Sequence, residues 1–435
     1  MSIKFFKGSK WLLQLIPFVL VLLTQASSAQ NEKVKPRILI SSDIGGTDPD
    51  DNQSMIHLLM YADLFEIEGL VSSPYGPGRK SEFLRMIDLY RQDLPQLQKY
   101  APNLPSPDDL KSVCKQGAIL EAPYKGYDIA TEGSDWIIKS AKKESDQPLW
   151  VLVWGGLEDL AQALHDAPEI KEHIRVYWIG GPNKKWSVNT YAYIAENHPD
   201  LYMIEANATY RGWIIDDEAT EDFKGDKYYD NYIQGKGAMG QDFRNYYNGN
   251  IKMGDTPSLA YVMSGNPDNP EGESWGGSFM PLQHSSRSVF NRNTTLNDTV
   301  STYGVIEWNF DGPKLEIPVA SKCFTMEISN QTWHGYYLGD GRYGIRYASK
   351  KPEICTYITS SNIPELNALK GQFVSVNPFP GKQISTDYVL GENWYGDKTN
   401  ADLFLGEQQG AKTVSKHRSE FLLDWAERWK WLEAN

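Results

Sequence analysis

Between Ser41 and Ser54 the chain reads SSDIGGTDPDDNQS, which sets Asp43, Asp48, Asp50 and Asp51 within nine positions. No Lys or Arg occurs between Ile38 and Gly78. Four carboxylates on one turn repel one another, so the segment either stays solvated and splayed or receives a cation. A lone DPDD run reads as a helix start, with Asp48 as N-cap, Pro49 at the first helical position and carboxylates where the dipole favours them. Dipole stabilisation is worth only about 0.3–1 kcal/mol per charge, too little to settle four adjacent carboxylates. Asp43 upstream, at the end of an apolar run, and the tight Gly45-Gly46 turn add to the case for a cation. Oxygen ligands without His or Cys select Ca²⁺ or Mg²⁺ over zinc, and carboxylates mixed with backbone carbonyls favour Ca²⁺.

The elements that must position these groups follow from the apolar pattern. RILISS (37–42), FEIEGLVSS (65–73), LWVLVWGG (149–156), IRVYWIGG (174–181) and LYMIEA (201–206) are short continuous apolar runs separated by helical stretches such as DNQSMIHLLMYADLF and LEDLAQALHDAP. That alternation predicts an α/β fold with a doubly wound, mainly parallel sheet covered on both faces. Asp43 then stands just past the carboxyl end of the first strand, where open α/β sheets bind ligands.

After about Gln283 the period changes to two, with Ile306, Trp308 and Phe310 alternating against Glu307 and Asn309. A β-rich module over 284–410 is expected, with a hairpin turn at Gly339-Asp340-Gly341. Its aromatic residues, Trp308, Trp333, Tyr336, Tyr337, Tyr343, Tyr347 and Trp394, read first as core. Tyr336 and Tyr337 cannot both point inward along one strand, so one of them is expected at the surface. In SKHRSEFLLDWAERWKWLEAN, Phe421, Trp425, Trp429 and Leu432 share a helical face, so residues 411–435 are expected to close the α/β domain of 30–283, with the module as an insertion.

Composition bounds the function. A formal charge of −13 on 435 residues, with no basic run longer than two residues beyond the first ten positions, argues against nucleic acid and other polyanions. Lys4, Lys7 and Lys10, the run WLLQLIPFVLVLL, and SSA ending at Ala29 have the layout of a cleaved signal peptide over 1–29. Export to the periplasm or medium is expected, with no membrane span after cleavage. Cys114, Cys323 and Cys355 are too few for a disulfide scaffold, and a Cys323–Cys355 bridge stands level with two free thiols.

SDIGGTDPDD, following an apolar strand and opening a helix, resembles the amino-terminal aspartate cluster of the calcium-dependent nucleoside hydrolases. More closely it resembles the bacterial nucleoside-hydrolase-like family sometimes labelled cellulose-binding. VLVWGGLEDLAQAL resembles the strand and turn whose carbonyl binds calcium in nucleoside hydrolases. RVYWIGGPNKKWSVNTYAYIAENHPDL resembles their sugar-binding loop, and GDTPSLAYVM the stretch with the last acidic ligand. ESWGGSF and the closing helix resemble the nearer family.

The resemblance implies that Asp43, Asp51, Asp255 and the Trp154 carbonyl hold Ca²⁺. Asp50, Asn189, Asn183 and Trp154 would contact the sugar, and Asp43 would take a proton from a calcium-bound water. An inverting glycoside hydrolase acting on an oligosaccharide or glycoside is therefore expected. A true nucleoside hydrolase is disfavoured, because Gly254 stands where many of those enzymes carry a His. The rival is a polysaccharide-binding protein with structural calcium, and a homo-oligomer is compatible with either.

Overall fold

The structure is a computed structural model, and it describes residues 1–2, 34–74, 79–214 and 221–433. The signal-peptide segment lies almost wholly outside these. Among the described residues no helix is long and apolar enough to cross a membrane. From Pro36 onward the chain forms one compact unit.

The five apolar runs are strands. They appear as β1 (Arg37–Ser42), β2 (Glu66–Ser72), β4 (Leu149–Val153), β5 (Ile174–Ile179) and β6 (Met203–Ala206), with a short edge strand, β3 (Cys114–Gln116), that the sequence pattern does not signal. The first four carry enough Ile, Leu and Val to bury both faces. In β1, Ile38 and Ile40 enter one core while Leu39 enters the other. The spatial order is β3-β2-β1-β4-β5-β6, followed by a strand at Trp394–Asp397 and then β7 (Phe279–Pro281). All neighbouring pairs are parallel except the last, which is antiparallel. The order in which strands are added reverses between β1 and β4, so their carboxyl ends flank the crevice in which such sheets bind ligands.

Helices α1 (Asp50–Met60), α2 (Lys80–Leu97), α3 (Glu132–Ala141), α4 (Glu158–Asp166), α5 (Pro182–Trp186), α6 (Val188–Asn197) and α7 (Thr256–Met263) cover the sheet. The expected Asp48 cap is corrected: α1 starts at Asp50, Pro49 takes the capping position, and no side chain caps it. Helix α8 (Arg418–Lys430) buries Phe421, Trp425 and Trp429 in the same core as α1. Arg428 joins it to Asp63 and lies 4.1 Å from the Tyr61 ring.

The second sheet is mostly antiparallel. Gln331–Gly339 and Arg342–Ala348 form the expected hairpin, and strands Val305–Asp311, Lys322–Ile328, Glu353–Ser360 and Lys370–Val376 extend it. Trp308, Trp333, Tyr337, Tyr343 and Tyr347 are its core. Trp394 is not part of it: the chain returns to the first sheet at Trp394–Asp397, ahead of the expected boundary at 410.

Tyr336 and Tyr337 are both buried, which overturns the expectation that one is exposed. Tyr337 enters the module's core, while Tyr336 on the other face lies 5.9 Å from Tyr124 of the α/β unit. Burial against a second layer is invisible to strand alternation. Cys323 and Cys355 are free thiols rather than a bridge.

Candidate functional site

The site begins where β1 and β4 end side by side, held by Trp154 N donating to the Ser41 carbonyl at 2.7 Å. Past β1 the chain folds back, with Gly46 N donating to the Asp43 carbonyl at 3.0 Å. Ser42 Oγ accepts from Ile44 N at 3.0 Å and donates to Asp51 Oδ1. This bond ties the end of the strand to the first turn of α1, and so fixes Asp51 beside Asp43. Close approach at the β4 turn requires glycine, because a Cβ on Gly155 would stand 2.9 Å from the Asp43 side chain.

Asp255 arrives from a distant part of the chain and is latched by a buried amide. Gln53 Oε1 on α1 accepts from Lys252 N at 2.8 Å and Met253 N at 3.1 Å. Its Nε2 donates to the Asn250 carbonyl at 2.8 Å. Ser258 Oγ, in α7, accepts from Trp154 Nε1 and donates to the Asp255 carbonyl, both at 2.7 Å. The β4 turn and the start of α7 are thereby joined. Gly254 lets Asp50 come close, since a Cβ there would meet Asp50 Oδ2 at 2.5 Å.

These contacts enclose a cavity of about 130 Å³. Asp43, Asp48, Asp50, Asp51, Asp255 and Trp154 are among the residues that line it. Carboxylate oxygens of Asp50, Asp51 and Asp255 lie within 4.8 Å of one another. Burial pushes the Asp43 carboxyl up to about 6, helped by the charge of Asp48. Asp50, Asp51 and Asp255 are raised well above the ordinary carboxylate range, first by burial and then by mutual repulsion.

Two observations show that this donor set suits a hard cation. Asp255 Oδ2 is buried and has no hydrogen-bond partner, an arrangement that costs free energy unless something positive sits against it. Asp43 and Asp51 lie close enough for their charges to repel, a proximity that a proton or a cation between two carboxylates relieves. The donors are all oxygen, as Ca²⁺ and Mg²⁺ prefer.

Of the residues singled out from sequence, Asp43, Asp50, Asp51, Trp154, Asn183 and Asp255 share the cavity. Asn183 Nδ2 donates to the Ile179 carbonyl at 2.9 Å. Its helix, α5, is anchored by the fully buried Lys184–Glu205 pair at 2.6 Å, with Lys184 Nζ 3.6 Å from the Tyr191 ring.

Asn189 lies outside the cavity. The segment expected to be a sugar-binding loop is helical from Val188, which turns Asn189 toward the Ala122 carbonyl, 3.3 Å away. Tyr210, Arg211, Ile214 and Lys252 line the cavity without having been singled out. The first three follow the carboxyl end of β6, and the strand-end rule that marked Asp43 applies equally to them. Lys252 is placed by the Gln53 latch, which has no sequence signature.

Residues 37–279 match the family described as cellulose-binding Sde182, nucleoside hydrolase-like domain. Residues 299–362 match a domain of unknown function, DUF5060. No curated protein matches the chain.

Among solved structures, a nucleoside hydrolase-related hypothetical protein from Saccharophagus degradans, associated with carbohydrate metabolism, is 16% identical with a TM-score of 0.47. That likeness covers 79% of this chain and 99% of the other. The inosine-uridine preferring nucleoside hydrolase of Bacillus anthracis is 18% identical with a TM-score of 0.37, over 58% of this chain and 87% of that one. The purine-preferring ribonucleoside hydrolase of Gardnerella vaginalis is 16% identical with a TM-score of 0.39, over 57% and 84%.

Proposed function

Because the chain belongs to the cellulose-binding Sde182, nucleoside hydrolase-like family, we propose that its acidic cavity is the active site of a calcium-dependent glycoside hydrolase. The substrate is an oligosaccharide or glycoside, cleaved with inversion at the anomeric carbon. The observation that carries this reading is the convergence of Asp50, Asp51 and Asp255 with an unpartnered Asp255 oxygen at the sheet's switch point.

Asp51 and Asp255, with Asp43 and the Trp154 carbonyl, would hold the ion. When bound, Ca²⁺ supplies Lewis acidity toward water and an anchor for two vicinal sugar hydroxyls. Asp43 takes the proton of the attacking water. Burial raises its carboxyl in the metal-free protein, which makes it a stronger base than an ordinary carboxylate. Asp50 and Asn183 accept hydrogen bonds from sugar hydroxyls and orient the ring. The acidic wall favours the positive charge that develops on the ring in an oxocarbenium-like transition state. A single carboxylate base acting through water predicts the inverted product.

Gly254 supports a glycoside over a nucleoside, since a side chain there would collide with the Asp50 carboxylate and the position offers no proton donor. The leader-like residues 1–29 support export.

The test is release of reducing sugar from a glycan and glycoside panel, beside a nucleoside panel, with Ca²⁺ and with EDTA. Calcium-dependent release that falls about 10²–10⁴-fold in Asp43→Asn is expected. Tight glycan binding with no release overturns the hydrolase reading in favour of a binding protein.

A further inference from the structure

The cavity that holds the aspartates also carries two cationic side chains, Arg211 and Lys252, each near enough to Asp50 for the charges to interact. Neither forms an ion pair with a carboxylate among the described residues. The Arg211 guanidinium lies 5.3 Å from the Tyr210 ring, and its Nε is buried without a hydrogen-bond partner. Lys252 Nζ lies 4.4 Å from the Tyr247 ring, and the Lys252 backbone is fixed by the Gln53 latch. Cations serving only to offset the acidic cluster would be drawn into contact with it, as Arg287 and Arg346 are drawn onto Glu307 elsewhere in this molecule. A buried guanidinium nitrogen without an acceptor is costly, and the cost is recovered when a ligand brings the acceptor.

Resting on the glycosidase reading above, we propose that the sugar taken by this cavity is a hexuronic acid, whose carboxylate is received by Arg211 with Lys252 beside it. The chemistry matches: the planar guanidinium fork pairs with a carboxylate through two parallel hydrogen bonds, and an ammonium adds a second, less directional charge. The size matches as well. About 130 Å³ is well below the roughly 300–1,000 Å³ of sites that enclose larger ligands, so the cavity takes one terminal ring. The hydroxyls of that ring then meet Asp50, and its carboxylate meets Arg211 and Lys252, which line the same cavity. One sugar is thus held by groups of both signs, which a neutral hexose cannot use in full.

Titration calorimetry on calcium-saturated full-length protein tests this with methyl glucuronide against methyl glucoside, and methyl galacturonide against methyl galactoside, at fixed free calcium. Each uronide is expected to bind at least about ten-fold tighter than its neutral partner. The ratio should collapse toward one in Arg211→Met and fall a few-fold in Lys252→Met. Arg211→Lys keeps the charge without the fork and is expected to lose most of the ratio, which covers the case in which the Met variant does not fold. Equal affinity for the two sugars, a ratio that survives Arg211→Met, or no binding of either sugar overturns the proposal. A calcium isotherm on each sample separates the two readings: protein that binds no calcium removes the hydrolase reading itself. Protein that binds calcium and prefers the neutral sugar removes only the uronic acid.

Discussion

Glu307, in the second sheet, is 6% exposed and accepts hydrogen bonds from both Arg287 and Arg346, whereas Asp255, 2% exposed at the end of the first sheet, keeps an oxygen with no donor. Burial pushes the Glu307 carboxyl up, but Arg346 and Arg287 outweigh it and hold the group below its ordinary range. For Asp255 the neighbours are other aspartates, so burial and repulsion act together and the shift is upward. The two regions solve the same physical problem in opposite ways. A buried acid that serves architecture comes with its counter-charges built in, and a buried acid that serves binding leaves its counter-charge to be supplied.

That contrast breaks most visibly on substitution. Glu307→Ala strands two arginines and is expected to cost about 3–5 kcal/mol in urea unfolding, unchanged by calcium. Calcium at about 100 times its Kd should stabilise the wild type by about 2.7 kcal/mol and EDTA should remove the gain, as scanning calorimetry would read. Asp255→Asn should lose that gain and weaken the calcium isotherm by about 100-fold, yet raise the melting temperature of the metal-free protein by relieving repulsion. A fall in metal-free stability would remove the distinction between the regions.

The positioning contacts give smaller effects. Gln53→Ala leaves the Lys252 and Met253 amides unsatisfied, for about 1–3 kcal/mol, and loosens Asp255. Calcium affinity should weaken in this variant although no ligand has changed.

The pH dependence sharpens the contrast through its sign. Asp43 goes from an ordinary 3.8 to about 6, so the folded state holds its proton more tightly than the unfolded chain. Its contribution is present below pH 3.8 and lost as pH rises through 6. Metal-free protein should therefore lose stability across that window on the alkaline side. Glu307 is lowered, so its contribution is present above its ordinary 4.5 and lost as the medium is acidified. Thermal melts of wild type and Asp43→Asn without metal, from pH 4 to 8, would read the first slope and its reduction, the remainder coming from Asp50, Asp51 and Asp255, which are raised as well.

Much of this site was legible because its parts are local. Asp43, Asp50 and Asp51 fall within one strand-turn-helix unit, and β1 appears at the expected residues, Arg37–Ser42. The closing helix was legible because its aromatic residues recur at helical spacing. Asn189 does not line the cavity with the others because its segment forms helix α6, where its side chain bonds the Ala122 carbonyl. Tyr336 was misread because alternation describes one sheet and cannot register a second layer laid against its other face.

The sequence by itself determined which groups would be crowded and which strand would end beneath them, since period and spacing along the chain fix both. Only the tertiary structure decided which cations join them. Arg211 and Lys252 reach the cavity from segments far from the acidic turn, through the end of β6 and a latch made by one buried glutamine. The physical reason is that a binding wall needs complementary charges in space, and chain folding can bring them from any distance along the sequence.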